Sequence, residues 1–85
     1  MSPIDRAKHE VFLYVKDRLD PTDGVNFAEN DVYIVWFAYI LGGWKALVST
    51  SLPDGMYYEV TSDVVHNKIY VDAYKRFDQK VVVIV

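Results

Sequence analysis

The chain has 85 residues, enough for one domain and too few for two, since domains cluster near ~100–150 residues. Hydrophobic residues make up 52% of it, which excludes disorder. The absence of cysteine excludes a disulfide framework, a thiolate nucleophile and a sulfur-held zinc. A net charge of −3, with nine basic residues scattered among twelve acidic ones, is not the basic footprint of a nucleic-acid binder, and it is too small for a nucleic-acid mimic.

No apolar run approaches the ~18 residues that a membrane helix needs. The opening stretch Met1 to Arg6 has no apolar segment of a secretory signal, so a cytoplasmic protein is expected. The whole of 1–85 reads as a single domain, with a helix over about 3–20 and a sheet over about 31–85.

Ser2-Pro3-Ile4-Asp5 is a helix start: Ser2 suits the cap, Pro3 the first helical position and Asp5 the positive end of the dipole. Ile4, Ala7, Val11, Phe12, Tyr14, Val15 and Leu19 then recur at helical period on one broad stripe. His9, Glu10, Leu13, Lys16 and Asp17 occupy the other side. Pro21 and Gly24 end the helix near Asp20.

Asp31 to Leu41 is rich in β-branched and aromatic residues and predicts the first strand. Gly42-Gly43 reads as a two-residue hairpin loop, with Trp44 to Leu52 as the return strand. Pro53-Asp54-Gly55 is the next turn and Met56 to Ser62 the third strand. After a loop from Asp63 to Asn67, Ile69 to Tyr74 is the fourth strand, although Asp72 to Gln79 also suits a short helix. Asp78-Gln79 reads as a turn leading to Val81–Val85. That apolar tail reads either as a fifth inner strand or as apolar surface for a second subunit to cover.

Turn geometry sets the expected register. The first loop places Tyr39 opposite Ala46, Phe37 opposite Val48 and Val35 opposite Thr50; the second places Thr50 opposite Tyr58 and Val48 opposite Val60. One face then holds Val35, Phe37, Ala46, Val48, Tyr58 and Val60, continued by Ile69, Val71 and Ala73, and it takes the helix. The other holds Ile34, Trp36, Lys45, Ser49, Ser51, Tyr57, Glu59, Thr61, Tyr70, Asp72 and Tyr74. The expected fold is α+β: an N-terminal helix on one face of a four- to five-stranded antiparallel meander.

Several of these segments resemble a family of small uncharacterised proteins encoded by phages and prophages of Gram-positive bacteria. They are Asp31-Val32-Tyr33-Ile34-Val35-Trp36, Lys45-Ala46-Leu47-Val48-Ser49-Thr50, Pro53 to Thr61, and Tyr70-Val71-Asp72-Ala73-Tyr74-Lys75. The resemblance covers about Asp31 to Phe77 and departs at Gly42-Gly43, at Val64-Val65-His66 and in the tail Val81–Val85. It implies a phage accessory protein acting in the host cytoplasm, and it carries no catalytic residue across.

The residues that could bear chemistry are few. His9, on the polar side of the helix, and His66, in a loop, do not converge in sequence, and each reads as a solvated side chain rather than a metal ligand or a catalyst. Asp20-Pro21-Thr22-Asp23-Gly24 has the look of a calcium loop. Aligning Gly24 with the loop glycine, however, puts Leu19, Pro21 and Asn30 where oxygen ligands are needed. No metal or cofactor is expected. Glu59 and Asp72 are expected to be neighbours on adjacent strands. Paired carboxylates serve acid–base work only where their environments split their pKa values, and these would lie on an open sheet. A serine elbow, a phosphate loop and a dinucleotide motif are all missing from the sequence.

The sheet face opposite the helix carries Trp36, Lys45, Tyr57, Glu59, Tyr70, Asp72 and Tyr74, an aromatic-plus-charge makeup typical of binding hot spots. The plainer reading is that tyrosine favours strands and that antiparallel sheets often turn a half-polar face to water. Three functions follow in order. The first is a non-enzymatic interaction protein that binds and modulates a host or phage protein through these residues. The second is a component that works by self-association, with a homodimer or larger oligomer expected. The third is a small enzyme using Glu59 and Asp72.

Overall fold

The computed structural model describes every residue except Pro21, Asp23, Val25 and Val85. The N-terminal helix α1 spans Pro3–Arg18. Ser2 Oγ accepts from the Asp5 backbone N–H at 3.1 Å, Pro3 stands in the first turn, and Lys16 and Arg18 occupy the last, where the dipole is negative. The Arg18 guanidinium lies 3.4 Å from the centre of the Tyr14 ring and donates to the Tyr14 carbonyl at 3.0 Å. The helix ends two residues before Asp20, with Leu19 already extended. Pro21 and Asp23 of the calcium-like segment lie outside the described residues.

A single 3-10 turn, Glu29–Asp31, then leads into four strands: β1 (Val32–Ile40), β2 (Gly43–Thr50), β3 (Met56–Asp63) and β4 (Lys68–Lys75). They form one antiparallel sheet in the order β1-β2-β3-β4, so the α+β meander is the fold. Ala7, Val11 and Val15 of α1 are buried against Val32, Trp44, Ala46, Val48, Tyr58 and Val60 of the sheet. Phe12, Phe27, Phe37 and Val71 close the margins of this core. Ile4, which belongs to the expected apolar stripe, is exposed near the start of the helix.

The two hairpins are each offset from the expected register by an even number of steps, so the faces of β2 to β4 stand as read. The first loop is Leu41-Gly42 rather than Gly42-Gly43, and it pairs Phe37 with Ala46 and Tyr39 with Trp44. Gly42 takes the turn's left-handed position at φ 85°. Gly43 belongs to β2, where a Cβ would meet the Ser62 carbonyl oxygen at 1.8 Å. Both glycines are needed, one for conformation and one for space. In the second hairpin Val48 pairs with Tyr58 and Ala46 with Val60. Its loop is longer than three residues, and at its start the Ser51 N–H donates to the Asp31 carbonyl at 2.9 Å.

Strand β1 departs further. Ile34 pairs with Val48 and Trp36 with Leu47, leaving Val35 as the extra residue of a bulge. One inserted residue reverses the alternation beyond it. Ile34 therefore packs against the core and Val35 is exposed, the reverse of the expected assignment for both, whereas Trp36 and Phe37 keep theirs.

The expected fifth strand is not formed. Residues 76–84 have no regular structure, Val81 to Ile84 are exposed, and Val85 lies outside the described residues. A run of β-branched residues suits a strand, but propensity supplies no partner edge. The short-helix alternative for Asp72 to Gln79 fails as well, because β4 continues to Lys75.

Candidate interaction surface

The sheet has one covered face. Helix α1 packs mainly over β1 and β2 and less over β3, and among the described residues no element crosses the opposite face. The register places the outward side chains there in rows across the strands. Tyr33, Ser49, Tyr57 and Tyr74 form one row; Trp36, Leu47, Glu59 and Asp72 form the next; Ala38, Lys45, Thr61 and Tyr70 form the third. All seven residues expected to form a binding surface, Trp36, Lys45, Tyr57, Glu59, Tyr70, Asp72 and Tyr74, thus share this face, on all four strands.

The aromatics are held rather than loose. Tyr57 and Tyr74 are opposed across β3 and β4 and stack with ring centres 5.3 Å apart and planes 14° from parallel. Both rings keep about two-fifths of their surface exposed (39% and 42%), as does Trp36 (42%). Tyrosine and tryptophan fixed on strands offer large contact area for little side-chain entropy.

Charge lies at the centre of the face. Lys45 Nζ is 3.1 Å from Glu59 Oε1, and Asp72 stands beside Glu59 as its cross-strand partner. With both side chains of the ion pair about 30% exposed, Lys45 offsets one of the two carboxylates and leaves Asp72 as the locally uncompensated charge of this cluster. Glu59 and Asp72 are neighbours as expected, but the Glu59 carboxylate is engaged by a lysine on an open surface.

Two further residues belong here. Leu47 sits between Lys45 and Ser49 on β2, and simple alternation identifies it as outward-facing. Tyr33 is half exposed on the same face, and only the bulge puts it there. No alternation rule applied to an unbroken strand finds Tyr33.

The histidines stand apart, each beside a carboxylate. His9 Nδ1 is 2.8 Å from Glu29 and ties α1 to the 3-10 turn. His66 Nδ1 is 2.6 Å from Asp63 Oδ2 in the β3–β4 hairpin, where the His66 side chain and N–H hold the Asp63 carboxyl below the usual carboxylate range. Among the described residues no three His, Asp or Glu side chains gather as a metal site, and no helix is long and apolar enough to cross a membrane.

Fold and surface together define a class: a small α+β domain in which one helix covers one side of an antiparallel meander and an aromatic, charged face is left open on the other. The chain belongs to the Family of unknown function (DUF6275), whose profile matches residues 4–84. No curated protein and no solved structure matches it.

Proposed function

We propose that this protein is a non-enzymatic phage accessory factor, acting in the cytoplasm of a Gram-positive host, that binds and modulates a host or phage protein through the outer sheet face. The observation that carries this reading is the exposed set Trp36, Tyr57, Tyr70 and Tyr74, spread over three strands around the Lys45–Glu59 pair. Rigid aromatics set beside charged residues are the composition of binding hot spots. The acidic balance of the chain favours a protein over a nucleic acid as the partner. The phage setting rests on the sequence resemblance of β1 to β4.

The test is affinity capture from a Gram-positive host lysate with the wild-type chain and with the double variant Trp36→Ala, Tyr57→Ala. Each truncation is expected to weaken binding by about 2 kcal/mol, so the double variant loses its partner. Since both side chains stand outside the core, the double variant is expected to fold and to keep the wild-type mass in solution, with a melting temperature lowered by loss of the Tyr57–Tyr74 stack. Undiminished capture by a folded double variant would remove the outer face as the binding surface.

A further inference from the structure

Strands β1 and β4 form the two open edges of the sheet. The edge of β1 is broken by the Val35 bulge, a device that discourages edge-to-edge pairing. The ladder of β4 runs unbroken from Lys68 to Lys75, so the unpaired backbone groups on its free side repeat regularly. Its helix-side residues are also thinly covered: Ile69 and Val71 are half-buried and Ala73 is exposed, whereas their β3 neighbours Ser62, Val60 and Tyr58 are buried.

Apolar groups lie exposed beyond both ends of this strand. Past its C-terminal end come Phe77 and the run Val81 to Ile84, with Ile84 95% exposed. Past its N-terminal end the β3–β4 hairpin shows Val64 and Val65, next to Leu41 of the first hairpin, and the Val64 N–H donates to the Gly42 carbonyl at 2.9 Å. The Cα radius of gyration is 14.6 Å, against about 12 Å for a compact domain of this length, in keeping with a tail that projects from the body.

We infer that a second copy of this chain pairs antiparallel with the β4 edge about a two-fold axis beside Val71, making one eight-stranded sheet. An antiparallel two-fold carries each C-terminal segment toward the hairpin tips of the other copy. Phe77 and the tail of each chain then cover the partner's Val64, Val65 and Leu41, and the contact is self-complementary as a two-fold requires. Opposed residues must share a face, and two registers then pair all but one residue of each strand. The register centred on Asp72 sets two carboxylates against each other, which destabilises a sheet. The register centred on Val71 sets Tyr70 opposite the partner's Asp72 and Ile69 opposite the partner's Ala73. Edge pairing leaves Trp36 and Tyr57 open on both copies, so this inference and the partner-binding reading stand or fall separately.

The chain has no cysteine, so a single introduced thiol reports the axis. In Val71→Cys the thiol faces its own copy at a Cβ separation of about 4.5–5.5 Å, close to disulfide range. Ala38→Cys on the β1 edge is the control. The wild type is expected to show twice the chain mass of 9.8 kDa by light scattering. Mild oxidation is expected to link Val71→Cys about tenfold or more faster than Ala38→Cys, because opposed thiols meet at roughly millimolar effective concentration. Val83→Asp with Ile84→Asp, which alters only exposed tail, is expected to weaken the dimer about tenfold or more by removing apolar burial. A monomer mass for the wild type at high concentration overturns the inference, as does linking of Val71→Cys no faster than the control. Faster linking of Asp72→Cys than of Val71→Cys rejects the register, and an unweakened tail variant rejects the role of the tail.

Discussion

On strands β2 and β3 the side chains of Ala46, Val48, Tyr58 and Val60 point at α1 and are buried, while Leu47, Ser49, Tyr57 and Glu59, each one step along the same backbone, point away. The two sets differ in polarity, since only the outward one holds a serine and a glutamate, and they differ in what lies opposite them. Each contains an aliphatic residue and a tyrosine. Tyr58 meets Tyr14 of the helix edge-on at 5.6 Å and is buried, whereas Tyr57 stacks on its strand neighbour and stays open. The helix therefore covers the set that is all apolar or aromatic, and the set carrying Ser49 and Glu59 stays open. The outer face keeps its aromatic content without a covering element, and the proposed partner-binding role rests on that exposure.

The comparison breaks most sharply at Val48, which is fully buried at the middle of β2. Val48→Asp places an unpaired carboxylate in the core, and the cost of several kcal/mol is comparable to the whole stability of a small domain. No cooperative thermal transition is expected by circular dichroism. Ser49→Asp, one residue along, loses the hydroxyl bond to the Met56 carbonyl and is expected to cost about 1 kcal/mol.

A smaller contrast runs through α1. Val11 is fully buried and Leu13 is 41% exposed. Val11→Ala removes buried methyl groups and leaves a cavity, so a loss of about 2 kcal/mol is expected in urea unfolding. Leu13→Ala is expected to be near neutral, since it exchanges an exposed side chain for the strongest helix former. Equal losses at the two positions would mean that Leu13 is covered, which points to a second subunit on the helix.

The outer face has its own internal support. The Tyr57–Tyr74 stack is expected to show a coupling of about 0.5–1 kcal/mol in a double-mutant cycle of alanine variants, measured by equilibrium unfolding. A coupling near zero would make the two rings independent contacts rather than one rigid platform.

These contrasts also show what could be read from the chain. The capping serine, the proline after it and the alternation of β2, β3 and β4 are local signals, and they place the helix, the meander and six of the seven surface residues. Trp36 on β1 keeps its side because the first hairpin is offset by an even number of steps. The Val35 bulge has no local signature in Ile34-Val35-Trp36, since it arises from how β1 meets β2 while Asp31 is anchored to Ser51 at 2.9 Å. That is why the alternation of an unbroken strand puts Ile34 and Val35 on the wrong sides and does not find Tyr33. The tail failed for a related reason: a strand needs an edge as well as β-branched residues, and no property of Val81 to Ile84 names which edge.

The smallest effect sought is one that vanishes near neutrality. Burial pushes the Tyr58 hydroxyl above its ordinary pKa of about 10, and the nearby negative charge of Asp54 adds to this while the Arg18 guanidinium opposes it. In the unfolded chain the same hydroxyl ionises at its ordinary value, so above pH 10 the unfolded state binds fewer protons than the folded one. Stability from this source is fully present below about pH 10 and falls as pH rises from there through the folded pKa. Tyr58→Phe keeps the ring against Tyr14 and removes the ionisable group. Its urea midpoint at pH 7 is expected to lie close to that of the wild type, and its decline above about pH 10 is expected to be shallower. An equally steep alkaline decline in Tyr58→Phe would assign it to other groups, and Tyr58 would then be distinguished from Tyr57 by packing alone.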